Sequence, residues 1–430
     1  WNGKGANAYF NAGFYGHIKV SKTSYLSYTF SPVVFYSQNQ YTPIPDQEFD
    51  KNPYSYPFLE RLDYVERYGN SSFSRLNAGQ SEVKFVYGQF TAGVTTQNYS
   101  WGPAIFNPIL MSQQAAGFPQ VNVGTNAPVD IKIGHLEGRI IWGGLAESDY
   151  YDLDPKNNRR YITGFTGGYR PSFIKGLNIG LHRIMFREGE GLALKDAFSA
   201  FLNTSPVFDE ALGEYITNDV YDQIASISIR WARPELGLEI YSEYARNDFP
   251  GNLKEFLRNP DRSRAITIGA SEAFETDNGG TIKLLYENTT LSANQLQIYN
   301  VFASPTYYVH NILKHGYTHD GQYIGAGIGA GSNTHIVQAQ YFNKKGMFGL
   351  SAQRIRFNDD YILRLYAGAR TYPSEFELAY WATAQRFFNN FSIGGQTTFS
   401  TRYQWFFGEQ GSIKNFQFLL SARYFIASKS

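Results

Sequence analysis

The stretch LHRIMFREGEG, residues 181–191, sets two arginines and two glutamates where a strand gives way to a loop. Leu181, Arg183, Met185 and Arg187 share one strand face, His182, Ile184 and Phe186 the other, and Glu188-Gly189-Glu190-Gly191 ends the alternation. A planar guanidinium makes paired bonds to carboxylates. The group therefore suits an internal Arg–Glu network that holds a loop closed, or recognition of sugar hydroxyls and uronate carboxylates. Both roles can coexist, because two arginines against two glutamates leave no net charge. A second candidate is NYSWGPAIFNP, residues 98–108. The Trp101 indole can stack on the C–H face of a pyranose while Gln97, Asn98 and Asn107 take its hydroxyls. An aromatic at a strand end equally suits the girdle at a membrane interface.

Other constellations carry less. His310, His315 and His319 with Asp320 suggest a metal, but spacings of five and four residues in an irregular loop define no coordination geometry. Structural or solvated histidines are expected there, with no metal and no cofactor. IGAGIGAGS, 324–332, lacks the Lys-Ser/Thr of a phosphate loop, so its glycines read as allowing close backbone packing. Glu188 and Glu190, two apart on a loop, do not specify the opposed geometry of a glycosidase pair. With no G-x-S-x-G and no Cys, a binding protein is expected rather than an enzyme.

The elements that must position these residues follow from composition and pattern. The chain has 430 residues, a net charge of +1, 33 Tyr, 34 Phe and 41 Gly. Near-neutral charge gives no reason to expect nucleic acid. Mean hydropathy is −0.37 and no run of apolar residues is long enough for a membrane helix. Alternation is pervasive: Ala225, Ile227, Ile229 and Trp231 oppose Ser226, Ser228 and Arg230, and Phe376, Leu378, Tyr380 and Ala382 oppose Glu377, Thr383 and Gln385. Seventeen strands are read at 6–20, 25–39, 81–88, 89–97, 128–136, 138–146, 160–170, 176–186, 223–232, 237–246, 264–274, 281–290, 334–342, 347–356, 376–386, 391–403 and 415–425.

Short turns alternate with long connections at 40–80, 98–127, 187–222, 248–262, 291–333 and 357–375. That sorting of loops by end marks an all-β, antiparallel transmembrane β-barrel of the outer-membrane type. Single-chain bacterial barrels have an even count. The expectation is therefore one barrel domain over 1–430 with about eighteen strands, the first upstream of residue 1, in a chain that starts as a processed or truncated product. YILRLYAGAR, 361–370, is assigned to an outer loop. Phe376, Tyr380, Ile227 and Trp231 should face lipid, as should Ile184 and Phe186, leaving Arg183 and Arg187 for the lumen. Loops 98–127, 187–222 and 291–333 should fill the outer mouth, with a helix at 194–203.

Three motifs carry a resemblance. YSWGPAIFNPILMSQQAAGFP (99–119), LHRIMFREGEG (181–191) and HGYTHDGQYIGAGIGAG (315–331) resemble, in order and spacing, segments of the Wzi family of outer-membrane capsule-assembly proteins. The resemblance runs from near Trp1 to the C-terminus. It implies an eighteen-stranded barrel of the bacterial outer membrane that binds capsular or exopolysaccharide at the cell surface and assists capsule attachment. It adds Tyr317 and Asp320 to the glycan-binding candidates Trp101, Gln97, Asn107, Arg183, Arg187, Glu188 and Glu190. Implied partners are surface polysaccharide, outer-membrane lipid and other envelope proteins. The family's periplasmic helical segment is expected upstream of residue 1, and its usual double Trp before Gly-Pro is Ser100-Trp101 here. The alternatives are a porin-like oligosaccharide channel and a scaffold subunit of a larger envelope complex.

Overall fold

A computed structural model of the chain describes residues 3–41, 61–65, 68–151, 159–189, 201, 207–209, 214–216, 221–247, 257–258, 260–293, 306–310, 313–365, 373–405 and 411–426. Seventeen antiparallel wall strands wind round as a barrel. They are β1 (Phe14–Lys19), β2 (Ser24–Phe30), β3 (Glu82–Tyr87), β4 (Phe90–Thr95), β5 (Gln120–Thr125, continued by Val129–Asp130), β6 (Gly134–Ala146), β7 (Arg159–Pro171) and β8 (Leu177–Glu188). The wall continues with β9 (Asp222–Arg233), β10 (Leu238–Asn247), β11 (Arg264–Glu275), β12 (Thr281–Thr290), β13 (Asn333–Asn343) and β14 (Gly346–Arg356). It ends with β15 (Phe376–Phe388), β16 (Phe391–Tyr403) and β17 (Ile413–Tyr424).

Each strand pairs with its sequence neighbour, so β1 and β17 run the same way, and no register pair joins them among the described residues. Tight turns close one end, as at Gly88, which has a φ of 56°. The long connections gather at the other, which is the extracellular end of such barrels.

Two strand assignments shift. The stretch read as strands 128–136 and 138–146 is one hairpin: β5 begins at Gln120, the chain turns at 131–133, and β6 is a single thirteen-residue strand. The strands read at 6–20 and 25–39 each break. Beyond the break, Asn7–Asn11 and Val33–Ser37 join Phe73–Asn77 in a three-stranded sheet. Pro32 cannot donate to a ladder. Asn11 Nδ2 bridges the break by donating to the carbonyls of Ser31, at 3.1 Å, and Pro32, at 2.8 Å. Of the segment 361–370, residues 361–365 stay out of the wall in a short helix, Asp359–Leu365, and 366–370 lie outside the described residues.

Lipid-facing apolar positions alternate with lumenal ones as expected of a barrel. Tyr380 and Ile227 are more than half exposed, and Phe376 and Trp231 share their faces. Strand β8 is the exception to the expected pattern. Ile184 and Phe186 are fully buried in the lumen core, beside Trp101 and Tyr317, while Leu181 is exposed. Alternation therefore turns Arg183 and Arg187 outward, opposite to the expected face. The lumen at this level is apolar, so the rule that apolar means lipid fails there.

Candidate functional site

The outer mouth is filled by two connections that fold inward, within 98–119 and 306–332. Their apolar residues (Trp101, Ile109, Leu110, Met111, Tyr308, Tyr317, Ile324 and others) form one core with lumenal wall residues Ile141, Ile162, Ile184 and Ile224. Hydrogen bonds fix the first segment from both sides. The fully buried Glu287 of β12 accepts from the backbone N–H groups of Ile105 (2.6 Å), Phe106 (3.1 Å) and Asn107 (2.9 Å), and from the Tyr241 hydroxyl at 2.7 Å. The tyrosine hydroxyls of the second segment donate to its next carbonyls, Tyr308 to Ile109 at 2.5 Å and Tyr317 to Leu110 at 2.6 Å. Small residues make the approach possible. A Cβ on Gly164 of β7 would lie 3.0 Å from the Trp101 indole. One on Gly325 would collide with the Ile109 carbonyl and the Tyr308 hydroxyl, so the glycines of 324–332 do serve close packing.

Above this core lies a buried polar layer. Arg160, at the outer end of β7, is 1% exposed and donates to the carbonyls of Gly316 (2.6 Å), Thr318 (2.9 Å) and Ala146 (3.3 Å). Asp63 and Glu147 lie within its electrostatic reach. Asp63 accepts from the Ser148 N–H and hydroxyl, and burial pushes its carboxyl up. His315 Nε2 donates to Glu147 at 2.5 Å. His319 Nδ1 accepts from the Ala146 N–H at 3.1 Å, which requires the neutral ring, and burial with the nearby Arg160 and Arg75 pushes its pKa down to about 3.

That neutral histidine makes the lid acid-sensitive. The unfolded chain takes up a proton on residue 319 near pH 6.5 and the folded protein only near pH 3. Between these values the unfolded state binds more protons, so the stability is full above pH 6.5 and lost as pH falls toward 3. His319→Gln should therefore spare the protein a loss of about 2 kcal/mol between pH 7 and pH 5. Urea midpoints of parent and variant at both pH values check this. Equal slopes with pH would show that His319 titrates normally. The comparison cancels Asp320, which burial pushes up to about 6 against the pull of Arg75 and which acts in the opposite sense.

The outer surface of the layer carries a partly exposed acid–base ledge. Arg75, on the extension strand Phe73–Asn77, pairs with Asp320 and lies 3.7 Å from Asp149. Its guanidinium stacks 4.1 Å over the Tyr68 ring, whose hydroxyl donates to Asp149 at 3.0 Å. Asp149 is 58% exposed and the other two about a quarter. A planar guanidinium with exposed carboxylates beside an aromatic face is suited to sugar hydroxyls.

The sequence candidates divide accordingly. Asp320 is on the ledge. Trp101, Asn107 and Tyr317 are buried in the mouth as struts of the inward segments, and the Gln97 carbonyl accepts from Gln120 at 3.1 Å at the root of the first segment. Arg183 donates to Gln223 at 2.5 Å on the outer face of the wall. Arg187 donates to the Glu188 carbonyl and lies over Tyr161 and Tyr221. The expected lumenal network of Trp101, Arg183, Arg187 and Glu188 is thus split by the wall. Glu190 lies outside the described residues, as does the helix expected at 194–203 apart from Phe201, whose ring stacks on Phe165 at 4.9 Å. Among the described residues no group of three metal-ligating side chains occurs. Arg75, Asp149, Arg160 and Glu287 escaped the sequence reading. Glu287 falls within the strand read at 281–290, where nothing local marks it out.

The family model described as capsule assembly protein Wzi matches residues 3–412. Wzi of Escherichia coli, described as an outer-membrane protein involved in group 1 capsule assembly and a carbohydrate-binding β-barrel, has a TM-score of 0.59 at 12% identity, over 97% of this chain and 82% of that one. Pseudomonas aeruginosa OccK2 with glucuronate gives 0.46 at 10% identity, over 97% of this chain and 91% of that one. OprD of the same organism gives 0.45 at 8%, over 97% and 87%. No curated protein matches the sequence. A barrel that fits one family model from residue 3 to 412 admits a plain conclusion: this chain belongs to the Wzi family of capsule assembly proteins of the bacterial outer membrane.

Proposed function

We propose that the protein binds a capsular or exopolysaccharide on its outer face, over a closed lumen, and thereby assists capsule attachment. The observation that carries this reading is the pairing of a filled mouth with an exposed ledge. The inward segments pack an apolar core against the lumenal wall, and the ledge of Arg75, Asp149 and Asp320 lies above them. E. coli Wzi, described as carbohydrate-binding, supports the ligand class. The role is one of binding, and other envelope proteins and lipid are natural neighbours of such a barrel. The wall and its inward segments are read as a single barrel domain.

The test is titration of the purified barrel with oligosaccharides from the capsule of its source organism. Asp149 is exposed, so Asp149→Ala should leave heat-modifiable migration unchanged. It should weaken glycan binding about tenfold through loss of a charge-assisted contact. Parent-like affinity in Asp149→Ala would place the glycan elsewhere.

A further inference from the structure

We infer that the wall carries a site for one phosphorylated, net-anionic lipid of the outer leaflet, its phosphate on Arg354 and an acyl chain in the groove below. Arg354 lies on β14 between Gln353, which turns inward to Thr334 at 3.2 Å, and Ile355, which packs on the lumen core. Its own side chain is therefore on the membrane face. It donates once, from Nη1 to Asn333 at 2.8 Å, and among the described residues it makes no ion pair. The neighbouring Arg356, by contrast, is paired with Asp359 at 2.8 Å. An arginine on this face is costly at the bilayer midplane and tolerable only among the headgroups.

The register fixes that level. Arg356, Phe376 and Tyr403 are in register on successive strands, and the two rings stack at 4.7 Å, as expected of an outer aromatic girdle. One row below come Asn288, His335 and Arg354, again in register. Tyr286 donates to His335 Nδ1 at 2.9 Å, or accepts from it, and so ties this row to the next. Immediately beneath is an apolar groove of about 860 Å³ on the outer wall, lined by Leu284, Tyr286, Val337, Leu350, Ala352 and Tyr380. A guanidinium with four N–H donors left to use, set at headgroup level over an acyl-sized channel, complements a lipid phosphate.

The experiment is native mass spectrometry of the delipidated barrel in non-ionic detergent, with bis-phosphorylated lipid A, phosphatidylcholine or inorganic phosphate added. The parent should retain one lipid A about tenfold more strongly than phosphatidylcholine. Arg354→Gln should lose that preference. Ala352→Trp, which fills the groove and keeps the arginine, should lose retention of lipid A as well. Both variants are compared as folded, heat-modifiable barrels. Unchanged retention in both would overturn the site. So would displacement of lipid A by millimolar phosphate, which would mean a bare anion site without a groove.

Discussion

Glu287→Ala should cost about 3–5 kcal/mol of stability and free the segment 98–119 from the wall. One carboxylate, itself with no exposure, serves three consecutive N–H groups and a tyrosine hydroxyl. Without it, four donors lose their acceptor, of which the Asn107 N–H and the Tyr241 hydroxyl are buried, and each buried unsatisfied group costs about 1–3 kcal/mol unless the segment moves to water. Movement is the cheaper outcome. The segment's apolar partners on 306–332 would lose their cover at the same time. Urea midpoints should fall, and limited proteolysis should cut between residues 98 and 119 in the variant but not in the parent. Glu287→Gln keeps one acceptor oxygen and should fall between. Unaltered protection from protease in Glu287→Ala would mean that the apolar core alone holds the segment.

The second large effect is expected at Arg160. Its guanidinium satisfies carbonyls of the second inward segment and of the end of β6, and Asp63 and Glu147 lie within its electrostatic reach. Replacing it with Met preserves volume and removes the charge. Arg160→Met should therefore destabilise by about 3–5 kcal/mol, the usual result of stranding buried charges without their partner. Asp63→Asn in the same chain should recover part of the loss, because one stranded carboxylate is then neutral. A double-mutant cycle by urea unfolding measures that coupling. Additive losses would show that Arg160 acts only through its hydrogen bonds to carbonyls.

The architecture was readable because a barrel sorts its loops by end, and that sorting survives uncertainty about any one strand. The misplaced β5 shows the limit: VNVGT at 121–125 alternates too briefly to stand out from the connection before it. The site was less legible for a physical reason. Local alternation assigns faces on the premise that the lumen is polar, and here the inward segments make it apolar around Ile184 and Phe186. The sequence therefore offered Arg183 and Arg187 to the wrong side. Trp101 and Tyr317 were found as special residues, yet their buried settings depend on Gly164, Leu110 and Phe186, which lie far away in the chain. The ledge joins residues 75, 149 and 320, and no local pattern links them. Asp320 stood out beside three histidines as a weak metal candidate, and only the family motif offered it as a glycan contact.

On the proposed function, this barrel works from its outer face over a lumen shut by its own chain. Single-channel recording of the purified parent in planar bilayers tests it most directly. A shut lumen should give a quiet membrane, with no steady conductance step and no current for an oligosaccharide to block. Large, stable steps that capsule oligosaccharides interrupt would contradict it, and would make the protein a channel.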